Sequence, residues 1–166
     1  MMKIQLTSAD EIMSAQVGLQ RAQYCKERNL KNVLERKTAN NYFNDILMGS
    51  NGAAAEIAVA KALGITDFKP TINTFKSQAD LLDNIEVKHT AWHGGHLIVY
   101  PKDRESDVAV LVVGECPDLF VVGWMPVVVA RRPRYRNNKA DSWWVSQINL
   151  QPIESLLRSN YANVRI

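Results

Sequence analysis

Near residue 67 the chain changes character, and that change limits it to a mixed fold. Ahead of it lie long stretches suited to helix. Behind it come short runs rich in Val, Ile and Leu, broken by Asp, Asn, Gly and Pro. β-Branched residues fit a pleated surface, and the breaking residues favour turns. The helical part opens with Ser8-Ala9-Asp10-Glu11, which reads as a capping box, and predicts a helix to about residue 28. Residues 29–40 are polar and read as a short helix or a connection. A second helix is expected over 52–63, capped by Ser50 or Asn51 and stopped by Gly64. Strands are expected at 79–82, 85–90, 96–101, 108–114, 119–126 and 143–150, followed by a helix with Pro152 in its first turn. The order of elements predicts a single α/β (α+β) domain over 1–166, with a central mixed sheet flanked by helices. Its parts are an N-terminal helical portion (1–49), a core (50–126), and a basic loop, strand and C-terminal helix (127–166).

A chain of 166 residues can bury a real core, and 46% apolar with 22% charged residues excludes a disordered polymer. No apolar run approaches the roughly 20 residues of a spanning helix, so no membrane partner is expected. The start, MMKIQLTSADEIM, lacks a signal-peptide core, and the expected compartment is the cytoplasm. Cys25 and Cys116 show no metal-ligand spacing and read as reduced thiols. The net charge of +3 permits a nucleic-acid partner without requiring one.

Glu56 is the first residue that asks for an explanation. On the predicted helix it shares a face with Gly52, Val59, Ala60 and Leu63, all apolar or small. A carboxylate in that stripe is costly unless paired; the bland alternative is a rim glutamate that reaches solvent. Lys61 lies on another face. In Ile85-Glu86-Val87-Lys88, residues two apart point the same way, so Glu86 and Lys88 share one face and Ile85 and Val87 the apolar one. Asp80 precedes Glu86 by six. A three-residue turn at Leu82-Asp83-Asn84 would set Asp80 directly across from Glu86, whereas a two-residue turn would put them on opposite faces unless a bulge intervened. Facing carboxylates with Cα atoms about 4.5–5.5 Å apart repel, and a divalent cation relieves the repulsion. Asp83, beside Asn84, reads as a turn residue.

Glu56 on a helix, then Asp80, then Glu86-Val87-Lys88 on adjacent strands, resembles the PD-(D/E)XK (restriction-endonuclease-like) nuclease superfamily. The likeness covers roughly 50–126. Ala79 stands where the motif's name has Pro. The downstream HLIVYPKDRESDVAVLVVGECPDLFVVGWMP is similar to small members encoded by viruses of bacteria, where a strand ending in Gly-Trp follows the catalytic hairpin. The resemblance implies a metal-dependent deoxyribonuclease on a restriction-endonuclease-like core. Asp80, Glu86 and the Val87 carbonyl would hold Mg²⁺ or Mn²⁺ through hard oxygen ligands. Glu56 would reach the same ion, directly or through water, or hold Lys88 in place. Lys88 would position and help deprotonate the attacking water, or stabilise transition-state charge. DNA is the implied partner, with a homodimer as one assembly found among such proteins.

Two further groups of residues bear on DNA. Thr90, His93 and His96 follow Lys88 closely, the two histidines straddling the Gly94-Gly95 loop, and with Trp92, Lys102 and Arg104 are candidate contacts to phosphate or a groove. Three histidines, His89 included, lack the spacing of a zinc site. Arg131, Arg132, Arg134, Arg136 and Lys139 form a basic run without an acid, read as a phosphate-contacting arm or a solvated loop. Of adjacent Trp143 and Trp144, one should face the core and the other outward, to stack on a base or pack on a partner. Two other functions stay in play: a catalytically silent nucleic-acid-binding module on the same fold, and a structural or interaction protein whose acids are solvated.

Overall fold

The computed structural model describes residues 1–28, 41–72 and 78–161. The expectation for 29–40 lies outside them. A strand, β1 (Met2–Gln5), precedes the first helix, α1 (Ser8–Glu27). The capping box is shifted one residue from the one expected: Thr7 caps the Asp10 amide, and Asp10 reaches back to the Thr7 amide at 2.8 Å. Helix α2 (Tyr42–Ala62) begins ten residues before the expected start, at an Asn41 cap, and runs across the expected 49/50 boundary. Gly64 follows its end with φ +74°, a conformation open to glycine at little cost.

The early start of α2 is a tertiary effect. Asn, Gly and Ser are poor helix formers, yet this stretch lies against α1 at a close crossing. A Cβ at Gly18 would stand 2.4 Å from the Ser50 nitrogen and 2.7 Å from its Cα. Those are backbone atoms that cannot swing aside. Gly18→Ala is therefore expected to lower stability by about 1–3 kcal/mol, despite alanine's better helix propensity. Urea unfolding measures it, and an unchanged midpoint would mean that the two helices separate freely.

Beyond residue 80 the strands are β2 (Ile85–Thr90), β3 (Leu97–Val99), β4 (Val108–Glu115), β5 (Asp118–Pro126), β6 (Arg136–Asn137) and β7 (Ser142–Val145), with a short helix α3 (Val127–Ala130) after β5. The chain near 147–158 forms two 3-10 turns, Gln147–Asn149 and Ile153–Arg158, in place of the expected strand end and α-helix. The expected strand 79–82 contracts to a single bridge at Leu81.

The main sheet has the order β1-β5-β4-β2 and a second sheet the order β3-β7-β6. The run of strands is thus not a simple meander. β2 pairs parallel with β4, because β3 leaves the main sheet and joins the second. β4 and β5 form an antiparallel hairpin with an irregularity after Leu111, and β1 adds antiparallel to β5.

Both faces of β4 are covered, which its unbroken VAVLVVG run requires. Val108, Val110 and Val112 join Leu81, Ile85, Leu119 and Trp124 in a core with Ala54, Ala55, Ile57, Ala58, Val59 and Ala60 of α2 and with Leu63 just after it. Ala109, Leu111 and Val113 join Leu97, Val99, Val145 and Tyr135 in a second core. The architecture is three-layered: helices, mixed sheet, small sheet. The helices cover one face of the main sheet, and the small sheet with α3 covers the other. Among the described residues no helix is long and apolar enough to cross a membrane.

Candidate active site

Leu81 and Ile85 exchange both backbone hydrogen bonds, each 3.0 Å, around the three residues Leu82, Asp83 and Asn84. Leu82 takes the left-handed conformation, φ +51°, that closes this turn. The same register sets Asp80 across from Glu86. Leu81 and Ile85 are buried in the helix-side core, so Asp80 and Glu86 start out on the other face. Of the two turns the sequence allows, the structure holds the three-residue one.

β2 ends the main sheet, and its backbone alternates in direction. Glu86 and Lys88 share the face away from α2. The amide and carbonyl of Val87 point away from β4, as the opposite alternation in the parallel ladder demands. Asp80 Oδ2 accepts from that amide at 2.8 Å. The Val87 carbonyl is thereby directed to the side from which Asp80 approaches.

Lys88 Nζ lies between two carboxylates, 3.0 Å from Glu86 Oε1 and 2.9 Å from Asp103 Oδ1. Glu86 and Asp103 are 3% and 4% exposed, so each charge depends on this partner or an equivalent one. Asp103 escaped the sequence reading. It closes a turn after β3: its amide donates to the Tyr100 carbonyl at 3.1 Å and its Oδ2 accepts from the Tyr100 amide at 2.9 Å. Pro101 inside that turn was the available signal, but nothing local ties the turn to Lys88. Lys102 sits beside it, its Nζ 5.9 Å from the Tyr100 ring. Burial holds its ammonium below the ordinary lysine range; the Lys88 charge adds to this, and Asp103 opposes it.

Glu56 stands in the helical layer. It is 4% exposed, so it is the paired carboxylate and not the rim glutamate, and it pairs with Arg21 of α1 through both oxygens at 2.9 Å. Arg21 also donates to the Thr71 carbonyl, from Nε at 2.9 Å and Nη2 at 2.7 Å. Lys88, which Glu56 was expected to hold, pairs instead with Glu86 and Asp103. Lys61 pairs with Asp10 at 2.9 Å, away from Glu56 as expected.

Two arginines expected on DNA are engaged in building the site. Arg131 Nη2 donates to the carbonyls of Tyr100 (2.9 Å), Pro101 (2.8 Å) and Asp103, clamping the turn that carries Asp103. Arg104 holds Asp107 through Nε at 2.9 Å and the Asp83 carbonyl at 3.0 Å, joining the β2 turn to the start of β4. Thr90 Oγ1 accepts from the Trp92 amide at 3.3 Å, a local turn contact. The His93 ring packs edge-on to Phe120 at 5.2 Å. His96 lies between Trp92 and Trp144. Arg132, Arg134, Arg136 and Lys139 are exposed, although Arg136 pairs with Asp141 and stacks 4.5 Å from the Trp143 ring. His89 Nε2 bonds the Gly114 carbonyl at 2.9 Å, and burial holds its imidazole below the usual histidine range.

Among the described residues no three His, Cys, Asp or Glu side chains gather to hold an ion. A metal here would draw on two carboxylates, Asp80 and Glu86, and on the Val87 carbonyl. The donor chemistry suits a hard cation. Asp80 Oδ1 takes part in no hydrogen bond among the described residues. No family model, curated protein or solved structure matches the chain.

Proposed function

We propose that this chain is a Mg²⁺- or Mn²⁺-dependent deoxyribonuclease with a restriction-endonuclease-like core. The observation that carries this reading is the register of the β2 turn. It puts Asp80 across from Glu86 and directs the Val87 carbonyl to the same side, with Lys88 two residues further on. Asp80, Glu86 and the Val87 carbonyl would hold the ion. When bound, it would polarise a phosphodiester oxygen and lower the pKa of a water. Lys88, fixed by Glu86 and Asp103, would orient that water and offset charge developing on the phosphate oxygens. Asp103 positions Lys88, and Arg131 positions Asp103. Glu56 holds Arg21, which in turn holds the Thr71 carbonyl.

A second reading, a nucleic-acid-binding module without catalysis, draws on the engagement of Glu56 by Arg21. One experiment separates the two. Supercoiled plasmid, linear duplex and single-stranded DNA are incubated with the protein in EDTA, Mg²⁺ or Mn²⁺. Cleavage is expected with either ion, absent in EDTA, and reduced about 100-fold or more by Glu86→Gln. Cleavage in EDTA, or none under any condition, rejects the nuclease reading.

A further inference from the structure

We infer that the outer face of the small sheet is a stacking platform for unpaired DNA bases, leading to Lys88; as a route for substrate this rests on the nuclease reading above. From Gly95 to Tyr100 burial alternates residue by residue: Gly95, Leu97 and Val99 are buried, while His96, Ile98 and Tyr100 are half-exposed. That alternation places the last three in one row along β3. Trp144 of β7 lies directly across from Ile98 and is 41% exposed. Its ring is 5.9 Å from that of His96, which in turn is 6.5 Å from Trp92, 65% exposed. At the other end of the row, the Tyr100 ring is 5.8 Å from Lys88 Nζ.

Four features favour nucleic-acid bases as the occupant. The rings are flat, spaced as neighbouring aromatics are, and Trp144 is held by the paired strand β7. The row of His96, Ile98 and Tyr100 spans about 13 Å, room for a short run of bases laid face-down. Lys88 and Lys102 stand at the Tyr100 end, and the exposed Arg132, Arg134 and Lys139 flank β6 in the chain. His96 Nδ1 is buried with no hydrogen-bond partner among the described residues, leaving a polar atom at the centre of the ring cluster. A duplex hides its base faces, so this surface selects unpaired strands.

Binding is measured in EDTA, where cleavage plays no part, by fluorescence anisotropy of a labelled 12-nucleotide oligothymidine and of a blunt 12-base-pair duplex. The single strand is expected to bind at least tenfold more tightly. Trp92→Ala and Trp144→Ala should each weaken single-strand binding about 5- to 100-fold and leave duplex binding unchanged. Trp92→Phe should retain most of the affinity. Trp92 is exposed enough that its variants alone suffice if Trp144→Ala fails to fold. Equal binding of the two DNAs, or no effect of Trp92→Ala, overturns the platform. So does a change in oligomeric state on Trp92→Ala, seen by light scattering, which would make the surface a protein interface. Trp-dependent single-strand binding without cleavage in Mg²⁺ would remove the nuclease reading alone. Lys88-dependent cleavage with binding untouched by the tryptophan variants would remove the platform alone.

Discussion

Lys88→Ala is expected to abolish metal-dependent cleavage and to destabilise the protein in the same step. The ammonium is the partner of two buried carboxylates, Glu86 and Asp103. Removing it leaves like charges facing each other out of water, a change that costs about 3–5 kcal/mol. The loss of rate should be about 10²–10⁴-fold, the range for a positioned proton-transfer or charge-stabilising group. The two effects come apart in a second variant. Lys88→Ala combined with Asp103→Asn removes one of the stranded charges, so urea unfolding should show part of the stability restored. Cleavage should stay absent, because no ammonium is present to serve it. If the double variant recovers cleavage, or if Lys88→Ala cuts DNA at the wild-type rate, Lys88 has no part in the chemistry.

Glu56→Ala is the second large effect, and it separates support from ligation. The substitution strands a largely buried guanidinium beside α2. A loss of about 3–5 kcal/mol in urea unfolding is expected. Replacing both residues, as Glu56→Met with Arg21→Met, removes both charges together and should recover most of that loss. Because Glu56 holds Arg21 and, through it, the Thr71 carbonyl, the double variant should keep its affinity for Mn²⁺, measured by calorimetry, and lose cleavage by about tenfold or less. A Mn²⁺ affinity that collapses with Glu56 while the fold stays intact would make the glutamate a ligand, and the ion's site would then extend to the helical layer.

That Glu86 and Lys88 share a face was legible because it is local. Residues two apart on a strand share a face whatever surrounds them. Asp80 was half-legible: two turn lengths fitted the letters, and the Leu81–Ile85 bridge chose between them. The burial of Glu56 followed from helical periodicity, but its partner did not, since Arg21 is 35 residues away. Asp103 was missed for the same reason. It follows Lys88 by 15 residues and reaches it only because β3 leaves the main sheet. Arg104 and Arg131 looked like contacts for phosphate because charge patterning records sign and spacing, while the carbonyls they hold belong to distant turns.

By itself the sequence determined the second half of α2, the bodies of β2, β3, β4 and β5 and the start of β7, and which of their faces are apolar. Those properties depend on side-chain periodicity and turn chemistry within a few residues. The tertiary structure decided that β2 runs parallel to β4, that a second sheet covers the far face, and that Asp103 closes the Lys88 pair. Periodicity says that a face must be buried without saying by what. Strand partners and ion pairs are chosen by chain segments far apart, whose meeting depends on how the whole core packs.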